Sequence, residues 1–172
     1  MEQLKKRLEE EHVLVENHPY LKDALLISKY DYLESLETFR EGLFVVQDIS
    51  SMLVGELAHV QAGAQVIDLC AAPGGKALDV AERILMEGQA GCSGHVEARD
   101  LTEYKVSLIE ENIERMGLCN VTAVCQDASV YDEKSAGKAD IVIADLPCSG
   151  LGVLGKKTDL KYNCLLYTSP SP

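Results

Sequence analysis

Apolar positions along the chain switch between two spacings, and the switching predicts strands separated by helices. Met1 to Glu11 forms a charged helical stretch, His18-Pro19-Tyr20 punctuates it, and Ala24-Leu25-Leu26-Ile27 predicts a short strand. From Leu43 onward the pattern is more regular. Met52, Leu53, Val54, Leu57 and Val60 lie at helical spacing, with Asp48 and Ser50 as candidate caps. Gln65-Val66-Ile67-Asp68-Leu69 predicts a short buried strand, and Ala77, Val80, Ala81, Ile84 and Leu85 then give one apolar helix face. His95 to Arg99 predicts a second strand ending at Asp100. Leu101, Tyr104, Leu108, Ile109, Ile113 and Met116 predict the next helix, closed by Gly117. Val121 to Val124 is the third strand, ending near Asp127, and Ile141 to Ala144 is the fourth, ending at Asp145. This β-α-β-α-β-α-β order predicts an α/β, Rossmann-like fold with a parallel sheet and right-handed crossovers.

Composition narrows this reading. A length of 172 residues predicts one domain with at most a small appended piece, and 47% hydrophobic residues supply a core. Residues 1–42 read as the trailing part of an N-terminal α+β subdomain, residues 43–163 as the main core, and residues 164–172 as a non-native-looking tail. Trp is absent and aromatics make up 5%, which argues against an aromatic platform for single-stranded RNA within this segment. A net charge of -12 argues against a surface that coats nucleic acid generally, but leaves room for a local basic patch such as Lys156, Lys157 and Lys161. The six cysteines, Cys70, Cys92, Cys119, Cys125, Cys148 and Cys164, form no C-x-x-C pair, and no leader peptide precedes them. Neither a zinc or other metal site nor a disulfide framework is expected, and free thiols fit a cytoplasmic location. No apolar run approaches the ~18 residues needed to span a membrane.

Two segments carry the chemistry. Asp68-Leu69-Cys70-Ala71-Ala72-Pro73-Gly74-Gly75-Lys76 reads as a strand end, a glycine turn and a helix start. Such a turn lets backbone approach a ligand closely and offers helix N–H groups to a carboxylate or phosphate. It is not a phosphate loop, because Ala77 follows the lysine where Ser or Thr is required. It is also compatible with a tight turn that holds no ligand. Asp145-Leu146-Pro147-Cys148-Ser149-Gly150 places a carboxylate and a thiol at the tip of the fourth strand. Asp100, Asp127 and Asp145 end three successive parallel strands, so they line one crevice. An acid at Asp100 suits ribose hydroxyls, and it equally suits a cap for the following helix.

Together with Val46-Gln47-Asp48-Ile49-Ser50-Ser51-Met52 and the continuation to Val153, these segments resemble the RsmB/Sun family of bacterial 16S ribosomal RNA cytosine-5 methyltransferases. The resemblance runs from about Leu43 to Tyr162 and implies an S-adenosylmethionine-dependent enzyme acting on RNA, monomeric and without metal. It implies that Cys70, Ala71, Ala72, Pro73, Gly74, Gly75 and Lys76 cradle the methionine end of the cofactor. Asp100 would hold the ribose, Asp127 would lie by the adenine, and Asp145 would sit between cofactor and target cytosine. In this family a cysteine of a later Thr-Cys motif attacks carbon 6, which makes carbon 5 nucleophilic toward the sulfonium methyl. The Pro-Cys cysteine, here Cys148, assists product release. The later motif does not occur in the sequence, so the resemblance implies a core cut at both ends and inactive alone. Two alternatives stand beside it: a cofactor-binding module without turnover, and a methyltransferase with Cys148 as nucleophile.

Overall fold

The computed structural model describes residues 1–88 and 94–148. Expectations for Cys92, for the second motif from Ser149 onward, for the Lys156, Lys157 and Lys161 patch and for residues 164–172 lie outside the described residues. The main body is a four-stranded parallel sheet of β3 (Gln65–Asp68), β4 (His95–Asp100), β5 (Val121–Cys125) and β6 (Ile141–Ile143), ordered β5-β4-β3-β6. Helices α3 (Ile49–Leu57), α4 (Gly75–Glu87) and α5 (Glu103–Met116) belong to the same body. Val66 pairs with Val96 and Ile141, and Val96 pairs with Val121, so one sheet face is aliphatic across its width. That face packs on Ala77, Leu78, Val80, Ala81 and Ile84 of α4 and Ile109 of α5, all fully buried.

The predicted elements recur with ends moved by up to three residues, but the expected helix between the third and fourth strands does not: the connection from β5 to β6 holds only one 3-10 turn, Glu133–Ser135. The apolar series expected to carry a helix out to Val60 stops being helical at Leu57, and Val60 is buried in the turn that follows. Asp48 takes the cap position of α3 without a side-chain cap bond. For α5 the cap is Thr102, whose hydroxyl accepts from the Lys105 N–H at 3.4 Å, and not Asp100.

Residues before the main body make a smaller unit: α1 (Glu2–Glu10), an antiparallel pair β1 (Leu14–Asn17) and β2 (Leu25–Ser28), and α2 (Glu37–Arg40). Leu8, Val13, Val15 and Leu36 form its core, with Phe39 and Phe44 packed against them. The Glu11 carboxylate accepts from the N–H groups of Glu37 and Thr38 at 2.8 and 3.1 Å, and it therefore stands in for the missing side-chain cap of α2. The chain passes to the main body through Gly42, at φ +72°, whose Cα sits against α5. A Cβ there would lie 1.9 Å from the Arg115 carbonyl oxygen, whereas one on Gly117, also left-handed at φ +66°, would meet nothing within 4 Å.

These two glycines give a matched test. Gly117→Ala should cost about 1–2 kcal/mol, the ordinary penalty for a left-handed L-residue. Gly42→Ala should cost clearly more in urea denaturation, because backbone must also move. Equal losses would show that the Gly42 approach is not a tight one.

Candidate functional site

The strand order reverses at β3, since the chain builds β4 and β5 on one side and then returns to add β6 on the other. In open α/β sheets, ligands are held at the carboxyl edge beside such a reversal, in the crevice between the loops that leave the two flanking strands, here β3 and β6. Each strand delivers an acid to that edge. Asp68 and Asp100 are the last residues of β3 and β4, Asp127 follows β5 by two residues, and Asp145 follows β6 by two.

The turn after β3 is built from backbone bonds. The Ala71 N–H donates to the Arg99 carbonyl at 2.8 Å, and the Gly74 N–H donates to the Ala71 carbonyl at 2.6 Å. Gly74 caps α4 at φ +111°, and a Cβ on it would lie 3.1 Å from Leu78, so the requirement for glycine here comes from the fold itself. Gly75 differs. The nearest atoms a Cβ there would meet belong to the Gln47 side chain, at an ordinary 3.6 Å, so a small side chain fits without disturbing the turn. No side chain caps α4, which leaves its first-turn N–H groups open toward the crevice. The Gln47 amide nitrogen is buried and has no hydrogen-bond partner.

Asp100 is buried at 2% exposure, and three donors from the chain already occupy it. Its Oδ1 accepts from the Leu101 N–H at 2.8 Å and from the Lys105 ammonium at 3.0 Å, while Oδ2 accepts from the Ala72 N–H at 3.1 Å. Burial pushes its pKa up, and these partners outweigh burial and hold the carboxyl below the ordinary range. Asp100 therefore ties β4 to the glycine turn. Asp127 is exposed and engages its own turn, with Oδ1 accepting from the Ser129 N–H and hydroxyl at 2.8 and 2.7 Å. Those bonds lower its pKa. Lys76 reaches across the crevice to Asp145, with Nζ 2.6 Å from Oδ2. Cys70 is half-buried, and burial followed by the nearby Asp100 charge raises its thiol pKa, which suits packing and not attack. Cys148 is exposed and free.

The family model described as 16S rRNA methyltransferase RsmB/F matches residues 56–164, well over half of the chain. The chain belongs to this family. It is 37% identical over 153 residues to the probable ribosomal RNA small subunit methyltransferase B of Bacillus subtilis strain 168, covering 88% of this chain and 33% of that protein. It is 33% identical over 147 residues to ribosomal RNA small subunit methyltransferase B of Yersinia pseudotuberculosis serotype O:1b, covering 86% of this chain and 33% of that protein. The RsmB/F chain thus spans about one third of the length of these curated relatives, 33% in each case. Among solved structures, PH0851 superposes with a TM-score of 0.82 at 28% identity, covering 94% of this chain and 35% of the other. NSun6 from Pyrococcus horikoshii, solved with SFG, gives a TM-score of 0.61 at 31% identity over 74% of this chain and 33% of the other. Among the described residues of the RsmB/F chain, no helix is long and apolar enough to cross a membrane, and no His, Cys, Asp and Glu group is placed to hold a metal ion.

Sequence reasoning gave no role to three residues at the edge. Lys105 and Gln47 are two, and both stood in quoted or adjacent segments. Asp68 is the third and the most unusual. Its side chain points to the face covered by α4, it is 1% exposed, and among the described residues its Oδ1 accepts a long 3.4 Å bond from the Cys70 N–H. Burial raises its pKa to about 6, with the Cys70 N–H and Lys76 pulling the other way.

The sign of the resulting pH dependence is fixed. Folded Asp68 holds its proton more tightly than the unfolded chain does, so its burial weakens the fold as pH rises from about 3.8 to about 6. The difference in unfolding free energy, Asp68→Asn minus wild type, should climb across that window and stay flat above it. At ~1.4 kcal/mol per pKa unit the climb is on the order of 3 kcal/mol. A difference that does not change with pH between 4 and 7 would contradict the buried carboxyl.

Proposed function

We propose that this chain is the cofactor-holding part of an S-adenosylmethionine-dependent methyltransferase that modifies carbon 5 of a cytosine in 16S ribosomal RNA. The observation that carries the reading is the crevice at the strand reversal, where a glycine turn with an uncapped helix start faces four strand-end acids. Membership of the RsmB/F family, the names of the two relatives and the SFG complex of NSun6 support it.

The residues present fit the cofactor. Free N–H groups at the start of α4 suit its carboxylate, and the orphaned Gln47 amide offers a further donor beside Gly75. Residues Cys70 to Lys76 hold the methionine end, Asp100 the ribose and Asp127 the adenine side. The bound cofactor supplies a methyl group on a sulfonium. Ribose hydroxyls meet an Asp100 carboxylate whose donors include an exchangeable one, the half-exposed Lys105 ammonium. Lys76 holds Asp145 at the mouth, where the carboxylate contacts the edge of the target base. Cys148, three residues on, lies beside that base and assists release of the product. The attacking cysteine of the family stands in a later motif that this sequence does not contain, so the chain by itself should not turn over.

Calorimetry with S-adenosylmethionine tests the site. Gly75→Val should fold normally by circular dichroism and lose at least about tenfold in affinity, ~1.4 kcal/mol, because its side chain fills ligand space. Unchanged affinity would remove the turn from the site. Methyl transfer to unmethylated small-subunit RNA tests the chemistry. Turnover only in a version extended through the Thr-Cys motif supports the assignment. Turnover by this chain that disappears in Cys148→Ser would make Cys148 the nucleophile instead.

A further inference from the structure

Arg115, in the last turn of α5, joins two parts of the molecule that no strand connects. Its Nη1 donates to the Phe39 carbonyl at 2.9 Å and to the Phe44 carbonyl at 3.1 Å, both in the N-terminal unit and its exit. The guanidinium also stacks 4.1 Å above the Phe39 ring. On its other side, Nε and Nη2 donate to Asn112 Oδ1 at 3.3 and 3.0 Å. Asn112 Nδ2 then donates to the Pro73 carbonyl at 3.1 Å and to the Leu108 carbonyl at 3.1 Å. Pro73 stands inside the glycine turn, between Ala72, which donates to Asp100, and Gly74, which caps α4.

An arginine near a helix C-terminus ordinarily faces solvent and interacts with the end carbonyls. This one has three nitrogens bonded and turns its plane onto an aromatic ring. The hydrogen bonds run without a break from the N-terminal unit to the turn. Asn112 is the only link in that run with both a donor and an acceptor on one side chain, so its orientation is fixed at both ends.

We propose that Asn112 and Arg115 are positioning residues, which set the Pro73 carbonyl and so couple the docking of the N-terminal unit to the shape of the cofactor turn. The functional half of this rests on the S-adenosylmethionine reading. By linkage, a ligand that holds the N-terminal unit in place should then tighten cofactor binding, and cofactor should tighten that ligand equally.

Asn112→Asp separates positioning from general support. A carboxylate keeps accepting from Arg115 but cannot donate to Pro73. In hydrogen exchange, the bonded amides within residues 72–78, those of Ala72, Gly74 and Leu78, should exchange faster in Asn112→Asp while those of residues 37–44 keep their protection. In Arg115→Met both groups should speed up. Cofactor affinity by calorimetry should fall about fivefold or more in each variant. Should Asn112→Asp unfold, Arg115→Lys, which keeps the charge and loses the fork, takes its place and is read as Arg115→Met is. Wild-type exchange at residues 72–78 in these variants overturns the proposal, as does unchanged affinity when the wild type binds. If the wild type binds no cofactor, the cofactor reading fails by itself, and the exchange pattern still decides the coupling.

Discussion

Four carboxylates meet at one edge of the parallel sheet, and the rest of the site follows from how their charge is managed. A parallel sheet cannot avoid this crowding, because every strand ends on the same side. Each acid is handled by a different means. Asp145 has a lysine 2.6 Å away, Asp100 has a lysine and two N–H groups, Asp127 has its own serine turn, and Asp68 is buried with its pKa raised to about 6. The Lys76–Asp145 contact does most to define the crevice. It spans the point where the strand order reverses, and so joins the loop after β3 to the loop after β6. At the surface such a pair is worth little for stability. Its effect here is geometric, since it fixes a carboxylate beside the thiol-bearing segment.

The same edge is braced from behind. The glycine turn hangs from β4 through Ala71 and Ala72, and from α5 through Asn112. Gly74 completes it with a left-handed cap that no other residue adopts without strain. The opposite sheet face is mixed, with Ile67, Val142 and Val124 beside Glu97 and Arg99. There Arg99 pairs with Glu97 and Asp132 and hydrogen-bonds Ser135, which fastens the segment after β5 to the sheet. That segment includes Asp127, so the adenine side of the proposed site is held by contacts on the far face.

Much of this fold was legible from spacing alone. β3 to β6 contain apolar Val, Ile and Ala positions between clear turn signals, and α4 and α5 are long enough for a helical period to show. β1 (Leu-Val-Glu-Asn) has two apolar residues and α2 is only four residues long, with Thr38 its one buried position, so neither showed. The crevice was legible because successive strands end in Asp, which is a local signal. What each Asp does was not, since its partner is remote in sequence. Asp100 looked equally like a cap, and the cap proved to be Thr102, with Asp100 drawn instead to Ala72. Lys76 sat in the turn motif and was grouped with it, yet its ammonium belongs to Asp145, 69 positions on. The burial of Asp68 depends on strand register and on α4 lying above it, and neither can be read from residues 65–76 alone.

The central claim is that the crevice at the strand reversal, and not some other concavity, receives the cofactor. A concavity elsewhere serves for comparison: a groove of about 610 Å³ on the opposite sheet face, lined by Ile67, His95, Glu97, Arg99, Lys134 and Lys138 among others. Amide chemical-shift mapping during titration with S-adenosylhomocysteine separates the two directly. The account predicts the largest shifts at residues 70–76, 100–101, 126–127 and 145–148, with little change at residues 134–138. Shifts concentrated at 95, 97, 99 and 134–138, with residues 70–76 unmoved, would contradict it.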